Sequence, residues 1–107
     1  MSKADIVIST PPALFKPGTT VSIDAGVATA NIALPNSGRT LRIANVGTVA
    51  VFIEFGDVSV AAVVATSMPI LPGSVELFDR VGPTGYVAAI TASSTARVSI
   101  TAGLGTE

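Results

Sequence analysis

Apolar and polar residues alternate along this chain in short runs, and turn residues separate the runs. Ile6 and Ile8 alternate first, before Thr10-Pro11-Pro12 and Lys16-Pro17-Gly18 break the pattern. Val21, Ile23 and Ala25 then share one parity, with Ser22 and Asp24 on the other. Past the break at Ala25-Gly26, Ala28, Ala30, Ile32 and Leu34 continue an inward set. Leu41 and Ile43 face in and Arg42 faces out. Val49, Val51, Ile53 and Phe55 form the clearest inward face, closed by Gly56-Asp57. Residues 58–66 form a largely apolar stretch and read as a strand, while 68–71, with Pro69 inside and Pro72 behind, suit a sheet edge. Val75 and Leu77 alternate with Glu76 and Phe78, and residues 86–91 and 97–102 read as strands joined at Ser93-Ser94.

Pro35-Asn36-Ser37-Gly38 and Gly82-Pro83-Thr84-Gly85 carry turn chemistry. Asn45-Val46-Gly47 reads as a hairpin turn with Gly47 at positive φ. No helical spacing of apolar residues persists over three turns. Val, Ile and Thr fill 35 of the 107 positions, and these stiff β-branched side chains suit a pleated surface. The pattern predicts an all-β, single-domain β-sandwich or jelly-roll-like fold of roughly eight to ten short antiparallel strands. Three parts are expected: an extended Pro-containing N-terminal arm over 1–19, the sandwich over 20–102, and a flexible tail over 103–107. The arm either pairs within its own subunit or docks on a neighbour.

Composition narrows the chemistry. Charged residues are 12% of the chain, against a typical ~25%, and the net charge is −1. No basic excess exists to neutralise phosphates, so nucleic acid is not an expected partner. No polybasic stretch faces a membrane. The uncharged run 58–75 is interrupted by Pro69, Pro72 and Gly73, which argues against a spanning segment. The first residues lack the pattern of a secretory signal, so synthesis in a cytoplasm without export is expected.

With no His and no Cys, zinc, haem and disulfide frameworks are not expected, and neither is a cofactor. Glu54 with Asp57, and Glu76 with Asp79, are the carboxylate pairs closest in sequence. Each reads better as an outward strand residue plus a turn residue than as an acid–base pair. Asp24 or Asp57 could meet calcium with backbone carbonyls, but neither sits in a dedicated loop. No Ser lies in a nucleophile-elbow motif and no His is present to activate one, so an enzyme is not expected.

Outward strand positions are poor in charge: Ala33, Thr40, Ala50, Phe52, Ala61, Val63, Ala88 and Ile90 stand where charges are usual. No charge occurs between Arg80 and Arg97. Such β surfaces pair with something. A homo-oligomer, a dimer or trimer, is therefore expected. Its anchors would be Phe52, Phe78, Tyr86 and Ile90, with Ile6 and Ile8 of the arm. Tyr86, Phe52 and Phe78 could alternatively stack on a sugar ring, which keeps a carbohydrate-binding module open.

Two stretches carry a family likeness. One is Asn36-Ser37-Gly38-Arg39-Thr40-Leu41-Arg42-Ile43-Ala44-Asn45-Val46-Gly47 running into Val51-Phe52-Ile53-Glu54-Phe55-Gly56. The other is Met68-Pro69-Ile70-Leu71-Pro72-Gly73-Ser74-Val75-Glu76. They resemble small β-rich virion proteins of tailed bacteriophages, of the head decoration or cement type. The resemblance implies a jelly-roll-like subunit on the capsid surface, with the major capsid protein or other virion subunits as partners. It implies no catalytic residue. A tail or neck component is the alternative within the virion.

Overall fold

Period-two alternation of β-branched side chains yields eight strands and no helix among the described residues. The structure is a computed structural model that describes residues 16–36, 38–80 and 85–104. The strands are β1 (Lys16–Ala25), β2 (Ala30–Ala33), β3 (Thr40–Asn45), β4 (Val51–Gly56), β5 (Met68–Ile70), β6 (Val75–Asp79), β7 (Tyr86–Ile90) and β8 (Ala96–Leu104). They form two four-stranded antiparallel sheets, in the orders β1-β8-β3-β6 and β2-β7-β4-β5. Only β4 and β5 follow one another within a sheet; every other connection crosses to the opposite sheet.

The inner faces of the two sheets supply the core, as in a β-sandwich. Val21, Ile100 and Ile43 align in one row across three strands, and Phe55 lies opposite Val87 in the second sheet. Leu41, Ile43, Val51, Ile53, Ile70, Val87, Val98 and Ile100 are sealed from solvent. Each such side chain contributes roughly 1.5–3 kcal/mol of apolar burial. The expected inward parities of β1, β3 and β4 are all present. Met68–Ile70 is an edge strand, as Pro69 requires. Leu71-Pro72-Gly73-Ser74 closes a turn with Ser74 N–H donating to Leu71 O at 3.0 Å and Gly73 at φ +78°. Pro second and Gly third are what a type II turn needs.

Several expectations are corrected. Residues 58–66 are not a strand. The 57–67 segment is a loop laid on the outer face of the second sheet, where side chains and turns satisfy its backbone. Asn31 Nδ2 donates to Val58 O at 2.9 Å and Val60 O at 3.2 Å. Ala62 N donates to Thr29 Oγ1 at 2.8 Å, and Ser67 N to Val63 O at 2.8 Å. Asn45-Val46-Gly47 is not a hairpin, because β3 and β4 lie in different sheets. Positive φ is not what Gly47 supplies: among the described glycines that conformation belongs to Gly73. Gly47 is required by crowding, since a Cβ there would sit 2.8 Å from Ala96 Cα.

Ala28 and Ala30 are exposed rather than inward, because β2 is a short edge strand. Thr40 and Ala88, expected outward and open, are buried. Lys16 to Thr19, assigned to the arm, belong to β1, and Gly103 and Leu104, assigned to the tail, belong to β8. The remainder of the arm, with Ile6 and Ile8, lies outside the described residues, as do 81–84 and 105–107.

Candidate interaction surface

Strand register brings three of the expected anchors to one face. Phe52 on β4 lies opposite Ile90 on β7, and opposite Pro69 on its other side. Tyr86 on β7 lies between Gly56 and Ala33. Phe52, Tyr86 and Ile90 share the outer face of the second sheet, and all three are half-buried. The row between them, Asn31, Ala88 and Glu54, is associated with the 57–67 loop. Ala88 is fully buried although its parity points away from the core cluster. Glu54 Oε1 accepts from Ser67 Oγ at 3.0 Å, and Ser67 Oγ accepts from Val63 N at 2.9 Å. Part of the charge-poor face is thus covered by the chain itself.

Phe78 is elsewhere. The expectation that it stands on an outward face is corrected: it lies opposite Leu41 and packs on the core. Its ring meets Phe55 edge-on, 5.6 Å between centroids at 63°. Its neighbours Val75 and Leu77 take the outer parity instead, each 45% exposed. Leu71 (61%) precedes them and Val46 (59%) follows β3. The β3–β6 ladder runs on past Val75 through Asn45 N to Ser74 O (3.0 Å) and Gly73 N to Asn45 O (2.9 Å), which brings this end of β3 to the turn before β6. Sequence reasoning missed this apolar corner because Val75-Glu76-Leu77-Phe78 is apolar in both parities. The register that sets Phe78 opposite Leu41 turns its parity inward.

The acidic residues hold structure. Asp24 accepts from Arg97 Nε at 2.9 Å and Nη2 at 3.4 Å. The guanidinium holds the Asp24 carboxyl below its ordinary range, first by hydrogen bonding and then by charge, and the pair raises Arg97 in return. Asp57 Oδ1 accepts from Ser59 Oγ at 2.7 Å and Ser59 N at 2.9 Å, and these bonds lower its pKa. Asp79 accepts from Thr40 Oγ1 at 3.0 Å. A cation at Asp24 would have to displace Arg97. Among the described residues no three acidic side chains converge on one point, and no helix is long and apolar enough to cross a membrane.

No protein-family model, no curated protein and no solved structure matches this chain.

Proposed function

We propose that the chain is a jelly-roll structural virion protein, a capsid decoration or cement protein that binds and stabilises a bacteriophage head shell. The observation that carries this is the strand order. Eight strands in the orders β1-β8-β3-β6 and β2-β7-β4-β5 are those of two Greek keys wrapped into one sandwich, an architecture used by viral capsid and lectin domains. Architecture alone does not choose between those roles. The side chains favour packing: aliphatic Val46, Leu71, Val75 and Leu77 are the exposed groups of one corner. Around Tyr86 the outer-face neighbours are Gly56 and Ala33, so a sugar platform there would rest on one half-buried ring. On a shell, many copies each binding weakly resist expansion together.

Electron microscopy with antibody against the chain tests the proposal on phage particles from the source culture. Label over the head surface is the expected result. Label confined to tail or neck would move the protein to that alternative. Particles without label, together with glycan binding lost in Tyr86→Ala, would replace the virion role with a carbohydrate-binding one.

A further inference from the structure

Among the described residues the two sheets end in four edge strands, which differ in what each presents to another chain. β1 carries Pro17, which has no N–H, and a register break between Pro17 and Thr19 that cuts Lys16 off from the unbroken run Thr19–Ala25, whose Asp24 is already held by Arg97. β5 has three residues with Pro69 at its centre. β2 has four residues, and its Asn31 is tied to the 57–67 loop. β6 differs. Its ladder with β3 runs in unbroken register from Ala44 opposite Val75 to Thr40 opposite Asp79, with no proline and no bulge. Arg80 N donates to Arg39 O at 2.8 Å and extends the ladder by one residue. Among the described residues no strand pairs with the second edge of β6.

The guard on β6 is Glu76. It lies opposite Ile43, on the core-facing parity, yet it is exposed at the rim of the sheet. A carboxylate in that place rejects most incoming strands, but favours one that sets a cation across from it. The same strand provides such a cation. Residues 76, 78 and 80 share one face by their spacing, so Arg80 stands four residues on with the same parity. Its Nη1 is held by Pro35 O at 2.6 Å and Gly38 O at 3.2 Å, which anchors the guanidinium at the end of the strand.

We propose that β6 is a self-recognition edge whose partner is β6 of a second copy of this chain, paired antiparallel about a two-fold axis at Phe78. In that register each Glu76 faces the second copy's Arg80, so the charge complementarity occurs twice. Leu77 faces the second copy's Asp79, and the two Leu77 side chains lie diagonally across the seam on the outer face. Moving the axis to Leu77 would set Glu76 against Phe78 and Val75 against Asp79, and lose both charge pairs. The pairing joins two four-stranded sheets into one of eight. Val46, Leu71, Val75 and Leu77 expose on the order of 300 Å² of apolar surface per copy. A standard interface buries about 800 Å² per partner, so the dimer is weak and dissociates on dilution. This inference gives form to the homo-oligomer expected from the charge-poor strand faces and is independent of the virion role proposed above.

The chain has no cysteine, so introduced thiols report on one place only. In the double variant Leu77→Cys/Asp79→Cys, each thiol faces its counterpart of the second copy at a cross-strand Cβ separation of about 4.5–5.5 Å. Mild oxidation should close a covalent dimer bonded twice, with no larger species. Thr20→Cys/Ser22→Cys on the β1 edge is the control and should stay monomeric. Sedimentation of the unmodified protein over a concentration series should show a reversible dimer. Leu77→Asp, at an exposed outer position opposite Arg42 of its own β3, should leave thermal unfolding unchanged but set a like charge against the second copy's Asp79 twice over, and so weaken that dimer about tenfold or more. A monomer at every concentration with no covalent dimer overturns the proposal, and so does equal cross-linking of the control. An oligomer indifferent to Leu77→Asp also overturns it, while leaving the wider oligomeric reading intact.

Discussion

Asn45 is a buried polar group whose side chain joins two separate segments of the chain. It is 1% exposed at the end of β3. Its Nδ2 donates to Val49 O at 2.8 Å and to Ile70 O at 2.9 Å, and its Oδ1 accepts from Gly47 N at 3.0 Å. One side chain therefore ties the β3–β4 crossing to the end of β5. Asn45→Ala strands three polar groups. Each unsatisfied buried group costs about 1–3 kcal/mol, and the low end applies because Gly47 and Val49 are only half-buried. The expected loss is about 3 kcal/mol. For a domain near this size, 1 kcal/mol shifts Tm by about 4–8 °C, so Tm should fall by about 12–24 °C. Urea unfolding should give the same free-energy change with an unaltered slope. A fall of less than about 5 °C would mean that the three bonds contribute little.

Asn45→Asp is the sharper companion variant. It keeps the size and the acceptor but points a carboxylate at two carbonyl oxygens. Burial and those oxygens disfavour the charged form, so the folded pKa rises above the ordinary ~3.9. A folded pKa above the unfolded value means that stability is greatest in acid and is lost as pH rises through the folded value. The variant should therefore approach the parent protein near pH 4 and fall behind it at neutral pH. A gap between the two that does not change with pH would remove the electrostatic part of the explanation.

Other consequences can be checked separately. Gly47→Ala should cost about 1–3 kcal/mol in urea unfolding because its Cβ meets Ala96, whereas Gly85→Ala, with nothing within 4 Å, should be tolerated. Asn31→Ala should speed amide exchange in the 57–67 loop without lowering the global unfolding free energy by more than about 1 kcal/mol, since it frees Val58 and Val60 carbonyls at the surface. Asp24 and Asp57 both have folded pKa values depressed below 3.8, so their contribution is present at neutral pH and lost as pH falls through those lower values. High salt should erase more of the Asp24–Arg97 share than of the Asp57 share, which is held by Ser59 hydrogen bonds; equal salt sensitivity in Arg97→Gln and parent protein would contradict this.

Much of the fold was legible from local pattern. Inward parity in β1, β3 and β4 and the edge position of β5 all follow from a few neighbouring residues. The 58–66 strand failed for a non-local reason. An apolar run becomes a strand only if another strand accepts its backbone, and here Asn31, Thr29 and local turns accept it instead. The proposed surface was half legible. Phe52, Tyr86 and Ile90 do share a face, but that face is partly occupied by the chain's own loop. Phe78 could not be oriented, because its strand offers apolar groups to both sides and only the register against Leu41 chooses between them.

The residues alone specify an all-β chain, the positions of its turns, and which strand faces are apolar. These are short-range properties: side-chain stiffness, period-two geometry and the backbone demands of Pro and Gly. Tertiary structure assigns each strand to a sheet, turns Phe78 inward onto Phe55, folds 57–67 onto the outer face and, among the described residues, leaves β6 at the end of its sheet. Those outcomes depend on which distant backbone groups and side chains meet. Hydrogen bonds and packing between residues far apart in the chain are chosen by the whole assembly, so no local stretch of sequence carries them.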